Sequence, residues 1–318
     1  QVPRHSLNMI RSGIIKNNMD RNDILKQIQE NVRLLSAYDA PEYKYIPLHQ
    51  KPSPSVVRIQ ELMNLLRSVI FPGFFDDVQE MREESLPYYL GVYLEQIYDL
   101  LHEQIYHGLC FETDDCSCSV KQKASELAIG FINRIPHVKY LLSTDVKAIL
   151  DGDPAAKSVS EIIFCYPAIL AMLHQRVAHE LYVAGIPVLP RIITEMAHSR
   201  TGIDIHPGAC IGEYFSMDHG TGIVIGQTAV IGNNVRLYQG VTLGAKSFTL
   251  DEEGLPMDVP RHPIIEDDVT IYSNASVLGR ITIGKGSIIG GNIWLTHSVP
   301  AGSKIVQSRV VEDHFHAL

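Results

Sequence analysis

The stretch IIEDDVTIYSNASVLGRITIGKGSIIGGNIWL, residues 264–295, carries an aliphatic side chain at every sixth position. A β-strand has a period of two residues and an amphipathic helix a period of 3.6, so neither explains this spacing. A period of six is typical of a parallel β-helix, in which each hexapeptide forms one short side of a triangular coil. The positions that would line the axis of this coil are Ile265, Ile271, Val277, Ile283, Ile289 and Leu295.

The same period continues upstream in two further registers. The first runs Ile205, Ile211, Met217, with Ile223 keeping the step, and the second runs Ile225, Ile231, Leu237, Leu243. Leu243 and Ile265 are 22 residues apart, which is three hexapeptides plus four residues. We therefore predict a β-helix domain over residues 201–305, with an extended loop over 246–262. Loops of this length in compact domains are usually functional.

The residues before this domain follow a helical period instead. One apolar helix face is predicted by Leu90, Leu94, Ile97, Leu101 and Ile105, which step by threes and fours. The sequence SVSE at 158–161 predicts a capping box, and Pro167 is expected to bend or restart the helix that follows. We predict an N-terminal arm over 1–55 with one helix near 21–36, an all-helical domain over 56–200, and a C-terminal tail over 306–318.

Composition excludes several classes of protein. The 318 residues carry a net charge of −9, which argues against a nucleic-acid or anionic-membrane surface. No apolar run approaches the roughly 20 residues that span a bilayer, and no leader is expected at the start, which is Gln1. Five cysteines, an odd number, favour free thiols and a cytoplasmic location. The cluster Cys110, Cys116 and Cys118 lacks the fourth ligand of a closed zinc site, so no metal is expected.

Five short motifs carry a resemblance to a known family. The chain resembles the left-handed β-helix acyltransferases of the hexapeptide-repeat class, and within them the serine O-acetyltransferases, from about residue 125 to 300. The resemblance implies an α+β fold, with an N-terminal all-helical domain followed by a left-handed parallel β-helix with a protruding loop. The motifs are GDPAAKS at 152–158, GIDIHPGACIG at 202–212, MDHGTGIVIGQTAVIG at 217–232, YQGVTLGA at 238–245 and RHP at 261–263.

The resemblance implies an acyltransferase that moves acetyl from acetyl-CoA to the hydroxyl of L-serine, giving O-acetyl-L-serine for cysteine biosynthesis. His219 would be the general base and Asp204 would orient it, with His262 in the same catalytic pocket. The substrate ammonium would be held by Asp153 and Asp218, and its carboxylate by Arg261 and His262. The expected contacts to coenzyme A are Gly244, Ala245, Ser273 and Gly291.

The same resemblance implies a set of partners. These are L-cysteine as an inhibitor at the serine site, two further copies in a homotrimer or dimer of trimers, and O-acetylserine sulfhydrylase bound through the tail. No nucleic acid, membrane or metal is expected. The chain departs from the family pattern at Gln227, where a Glu is usual, at Ala245 in place of Gly, and at Leu318 in place of Ile.

The chemistry explains why these residue types suit the reaction. A serine hydroxyl is a poor nucleophile at neutral pH and needs a base such as histidine, whose tautomer a carboxylate can fix. Direct attack on a thioester requires no protein nucleophile. A guanidinium pairs well with a carboxylate, and two aspartates suit an ammonium, so the set selects an amino acid.

Other interpretations fit parts of the sequence. A metal-dependent hydratase on this fold, like the γ-class carbonic anhydrases, needs three histidines converging on zinc, whereas His219 and His262 are 43 positions apart. An acyltransferase for a sugar would not need Arg261 and the two aspartates. A scaffold without catalysis would not need Asp204, Asp218, His219 and His262 together. Asp153 could also begin a helix, since Asp-Pro starts helices well. His206 and His297 are interpreted as structural or surface residues.

Overall fold

The computed structural model describes residues 20–37, 52–75, 82–112, 116–247, 249–255 and 257–307. The chain divides into two compact units, residues 1–50 and 51–318. In the first unit the described part is helix α1 (Arg21–Leu35), which confirms the helix predicted near 21–36. None of the described helices is both long enough and apolar enough to cross a membrane.

Helices fill the first half of the second unit. Leu101 and Ile105 on α3 are fully buried, as the spacing predicts. The Ser158 hydroxyl accepts from the backbone N–H of Glu161 at 3.1 Å, which caps α6, and Pro167 is the first residue of α7. The helices are α2 (Val56–Ile70), α3 (Leu86–Glu112), α4 (Cys118–Ile132), α5 (Ile135–Gly152), α6 (Val159–Cys165), α7 (Pro167–Val183) and α8 (Leu189–Thr201).

A left-handed parallel β-helix of about five turns follows α8, as the period of six and the resemblance predict. Its short strands stack into three parallel sheets, because each coil places one strand on each of three sides. Sheet A contains β1 (Asp204–Ile205), β4 (Val224–Ile225), β7 (Thr242–Gly244), β10 (Ser276–Leu278) and β13 (Trp294–Leu295). Sheet B contains β2 (Cys210–Ile211), β5 (Val230–Ile231), β8 (Ile264–Ile265) and β11 (Thr282–Ile283). Sheet C contains β3 (Ser216–Asp218), β6 (Arg236–Tyr238), β9 (Thr270–Ile271), β12 (Ile288–Ile289) and β14 (Lys304–Ile305).

The solenoid therefore has three long edges, named here by the sheets they join. The chain passes from sheet A to sheet B at the A–B edge, from B to C at the B–C edge, and from C back to A at the C–A edge. Aliphatic side chains of the six-residue period fill the axis, and Val277, Ile283 and Ile289 are fully buried. The extended loop leaves after β7 and returns at β8, so it lies on the A–B edge.

One register prediction is wrong, at the first C–A turn. Asp218 pairs with Tyr238 and Val224 pairs with Thr242, so the first turn has five residues where the next has three. Ile223 is fully buried as well, but Ile225 is the residue that pairs with Leu243 and continues the six-residue register after Met217. The two extra residues are His219 and Gly220.

A buried ion pair joins the helices to the first coil. Arg176 on α7 binds both carboxylate oxygens of Asp145 on α5, at 2.7 and 2.8 Å, and donates to the carbonyls of Ile211 and Gly212. Asp145 also accepts from the backbone N–H of Phe215 at 3.1 Å. Burial raises the pKa of Asp145, which the Arg176 charge opposes. Since an unpaired charge at this depth would be costly, the pair fixes the middle of α5 against the residue that precedes strand β3.

Candidate active site

The candidate base stands on the two-residue insertion at the C–A edge. His219 and Gly220 have φ of 57° and 80°, in the left-handed region that non-glycine residues seldom adopt. The turn is closed by the Gly220 backbone N–H, which donates to the Asp218 carbonyl at 2.6 Å. The His219 side chain is 75% exposed, with Nε2 3.6 Å from Asp218 Oδ1. The two-residue insertion in an otherwise regular solenoid therefore places this imidazole outside the wall of the coil.

Two aspartates lie beside this imidazole. Asp153 ends α5, and Asp218 ends β3; both line one depression with Tyr166 and Arg236. The Tyr166 hydroxyl donates to Asp153 Oδ2 at 2.7 Å, and the Ala155 backbone N–H donates to Oδ1 at 2.8 Å. The hydrogen bond to the carboxylate raises the pKa of Tyr166 to about 12 and lowers that of Asp153. Asp153 is therefore a charged acceptor at neutral pH, and it follows a helix rather than starting one.

Asp204, the expected partner of His219, is the first residue of β1. Among the described residues it makes no ion pair or hydrogen bond with His219. Instead, ligand atoms of Glu195, His198 and Asp204 lie within 4.8 Å of one another, and His198 Nδ1 is 3.1 Å from Glu195. This chain alone brings Asp153 and Asp218 to the candidate base, but not Asp204.

Arg261 lies on the A–B edge, where the extended loop returns. Its Nη2 donates to Gln227 Oε1 at 2.6 Å and its Nη1 lies 3.5 Å from Asp258. Gln227 in turn donates to the Tyr182 hydroxyl at 3.0 Å and to Asp258 at 3.2 Å. Within the described parts of the chain, the buried Nε of Arg261 has no acceptor. Because Gln227 is neutral, it orients the guanidinium without cancelling its charge.

His262 is held in a single protonation state beside Arg261. Its Nδ1 accepts from the Thr228 backbone N–H at 3.1 Å, and the Thr228 hydroxyl is 2.9 Å from the same nitrogen. Burial, followed by the charges of Arg261 and Arg280, lowers the pKa of His262 to about 4. The neutral ring therefore keeps its proton on Nε2. A Cβ on Gly226 would lie 2.0 Å from the ring, so only glycine allows this position.

The expected coenzyme A residues divide between the same two edges. Ser273 and Gly291 stack on the C–A edge, where a Cβ on Gly291 would lie 3.2 Å from the Ser273 carbonyl oxygen. Gly244 and Ala245 are on the A–B edge, where the loop leaves β7. Each coil side has six residues and spans at most about 20 Å. One chain therefore presents two incomplete groups of site residues, separated by the width of sheet A.

Sequence reasoning missed the residues that hold these groups in place. Tyr166 binds Asp153, and Thr228 accepts from the backbone N–H groups of Arg261 and His262 at 2.9 and 3.1 Å. Arg280 donates to the carbonyl of His262 at 3.0 Å. The position of Thr228 inside the MDHGTGIVIGQTAVIG motif was the one available signal, since no periodicity distinguishes these residues.

Cysteine chemistry is absent from both groups. All five cysteines are free thiols, and Cys110, of the cluster noted above, is buried. The other two members, Cys116 and Cys118, are half-buried and exposed. Neither group of site residues contains a thiol that could act as a nucleophile.

No model of a protein family matches the chain. It is 52% identical over 273 residues to the plasmid serine acetyltransferase of Synechococcus elongatus, covering 84% of this chain and 85% of that protein. The crystal structure of Entamoeba histolytica serine acetyltransferase 1 in complex with L-cysteine is 34% identical, with a TM-score of 0.68 over 88% of this chain and 96% of that chain. The soybean serine acetyltransferase complexed with serine is 27% identical, with a TM-score of 0.51 over 78% and 95% of the two chains. The chain belongs to the serine acetyltransferase family of acyltransferases.

Proposed function

We propose that this chain transfers acetyl from acetyl-CoA to the hydroxyl of L-serine, giving O-acetyl-L-serine and CoA for cysteine biosynthesis in the cytoplasm. The observation that carries the proposal is the pair of opposite charges in the two groups of site residues. Asp153 and Asp218 offer two carboxylates beside His219, and Arg261 offers an Nε–H without an acceptor among the described residues. An α-amino acid carries one group for each: an ammonium and a carboxylate.

His219 acts as the general base in this proposal. Its exposed imidazole takes the proton from the serine hydroxyl as the oxygen attacks the thioester carbonyl, and returns it to the departing thiolate. Such proton transfers typically contribute about 10²–10⁴ in rate. Acetyl-CoA supplies the activated acyl group. Because the side chains of Ser273 and Gly291 are small, the C–A edge has room for an extended ligand to lie along it. Asp204 orients the imidazole in the assembled site, as the family resemblance implies.

His262 binds rather than accepts a proton. With Nδ1 engaged by Thr228 and a pKa lowered to about 4, its free Nε2–H is a donor toward the substrate carboxylate. Arg261 provides the positive charge that attracts the substrate carboxylate, and His262 provides a directed hydrogen bond to it. This division of roles places one histidine of the expected catalytic set among the substrate contacts.

The two groups of residues form a whole site only between subunits. We propose a homotrimer, single or paired, in which the C–A edge of one chain faces the A–B edge of the next. Symmetric closed assemblies are the rule for soluble oligomers. The separation of His219 from Arg261 by the width of sheet A supports this arrangement, because L-serine is far too small to bridge it.

L-Cysteine, bound in the crystal structure of the Entamoeba relative, is proposed as a competitive inhibitor at the serine site. Its thiol replaces the hydroxyl while its ammonium and carboxylate make the same contacts. The proposed sulfhydrylase contact through the tail, including Leu318, falls on residues 308–318, outside the described residues.

The test is thiol release from acetyl-CoA with L-serine, compared with D-serine, a sugar alcohol and no acceptor. Release that requires L-serine and falls by about a hundredfold in His219→Ala supports the proposal. His137→Ala, which removes an exposed histidine of α5, should behave as wild type. Equal release with the sugar alcohol would contradict the assigned acceptor, and an unimpaired His219→Ala would contradict the base.

A further inference from the structure

A second cavity shares Tyr166 with the depression that Asp153 and Asp218 line. It has a volume of about 200 Å³ and opens between α2, the α6–α7 junction and the end of α8. Four aromatic rings and two guanidinium groups line it, those of Phe71, Phe75, Phe164, Tyr166, Arg67 and Arg200. The cavity thus combines an apolar wall with two positive charges.

Within the described parts of the chain, no carboxylate pairs with either arginine. Among the described residues, neither Arg67 nor Arg200 forms an ion pair or a side-chain hydrogen bond. Arg67 is half-buried, and its guanidinium carbon lies 3.3 Å from the centroid of the Phe75 ring. Burial and the Arg200 charge lower the pKa of Arg67, so the two cations are close enough to repel each other. An anion between them would relieve this repulsion.

The size of the cavity limits the ligand. An apolar cavity of about 150 Å³ can hold one benzene molecule, so 200 Å³ accommodates one flat ring with a carboxylate. The rings of Phe71 and Phe75 suit the flat body of such a ligand. The guanidinium groups suit its carboxylate.

Tyr166 connects this cavity to the proposed serine site. It lines both cavities, and its hydroxyl donates to Asp153 Oδ2 at 2.7 Å. Its neighbours Cys165 and Pro167 also line the second cavity. A ligand pressing on the Tyr166 ring would therefore move the hydroxyl that orients the aspartate.

We propose that this cavity is a regulatory site for a small organic anion, a carboxylate carried on a flat apolar body. Binding of the anion displaces Tyr166 and weakens the binding of the substrate ammonium by Asp153. The binding part of the proposal stands on the cavity alone, whereas its effect on catalysis rests on the proposed function.

Benzoate is the probe, titrated into the full chain by calorimetry, with benzamide as the neutral analogue. Wild type should bind benzoate and not benzamide, and Arg67→Gln and Arg200→Gln should each weaken binding by about tenfold or more. Arg58→Gln removes a charge from the exposed face of α2, the helix that carries Arg67, and should leave the affinity for benzoate unchanged. Arg261→Gln should also keep binding, which separates this cavity from the serine carboxylate site. No binding by wild type, or equal binding by all four variants, would overturn the site.

The link to catalysis is measured as the KM for L-serine with and without saturating benzoate. Benzoate should raise this KM several-fold in wild type, and Arg200→Gln should need about tenfold more benzoate for the same effect. In Tyr166→Phe, benzoate should still bind by calorimetry but no longer alter KM. Binding without any effect on the wild-type KM would overturn the regulatory role, and because calorimetry requires no turnover, failure of the serine activity itself would be seen separately.

Discussion

Replacing Thr228 with valine should weaken serine binding from a position outside the charged set. The Thr228 hydroxyl accepts from the backbone N–H groups of Arg261 and His262 and lies 2.9 Å from His262 Nδ1. Valine keeps the shape and removes the acceptor. Each buried N–H left without an acceptor costs about 1–3 kcal/mol. These donors are only partly buried, and serine binding must then supply the free energy that reorders Arg261 and His262. We expect this to cost about 2 kcal/mol of binding free energy, a roughly thirtyfold loss of affinity for serine.

The assay is steady-state kinetics with L-serine varied at saturating acetyl-CoA, alongside thermal unfolding to confirm a folded protein. We expect kcat/KM for serine to fall about thirtyfold, chiefly through KM, since Arg261 and His262 bind rather than react. Thr282→Val is the matched control, because this threonine is on β11 of the same solenoid and its hydroxyl forms no hydrogen bond with a described residue of either group. A folded Thr228→Val whose kcat/KM stays within about twofold of wild type would refute the reasoning.

Three further predictions concern charge. As pH falls from about 7.5 to 5.5, the free energy of unfolding should decrease, because three histidines have a folded pKa of about 4 against 6.5 when free. The unfolded chain therefore binds protons that the folded chain does not. A urea midpoint that does not change with pH would contradict this. The histidines are His174, His206 and His262. Arg176→Met should cost about 3–5 kcal/mol in urea unfolding by leaving Asp145 buried and unpaired, and a loss below about 1 kcal/mol would be inconsistent with that burial. Gln227→Glu places a carboxylate against Arg261 and should raise the KM for serine several-fold, whereas an unchanged KM would mean that this charge does not reach the substrate.

The period of six was sufficient to predict the solenoid, because inward aliphatic positions are dictated by the coil itself. It could not locate the insertion at His219. Ile223 and Ile225 are both apolar, and Ile223 happens to stand six residues after Met217. Only the pairing of Asp218 with Tyr238 and of Val224 with Thr242 distinguishes them.

The motifs supply candidate site residues, but they do not predict how the fold distributes them. Asp153 and Asp218 meet because α5 ends against β3, through the Arg176–Asp145 pair that no motif contains. Tyr166 and Thr228 act through single hydrogen bonds across 13 and 33 or 34 positions, which leave no periodic trace. His219 and Arg261 are separated because one lies on the C–A edge and the other on the A–B edge. The sequence alone does not predict these positions.

We propose that each active site is built from two neighbouring chains. The most direct test mixes His219→Ala and Arg261→Ala chains, each inactive alone, in equal amounts under conditions that dissociate and reassemble the protein. If the base and the carboxylate contact come from different subunits, about a quarter of all sites are intact after random reassembly, and about a quarter of wild-type activity should return. Reassembled mixtures that remain as inactive as the separate variants would contradict the account.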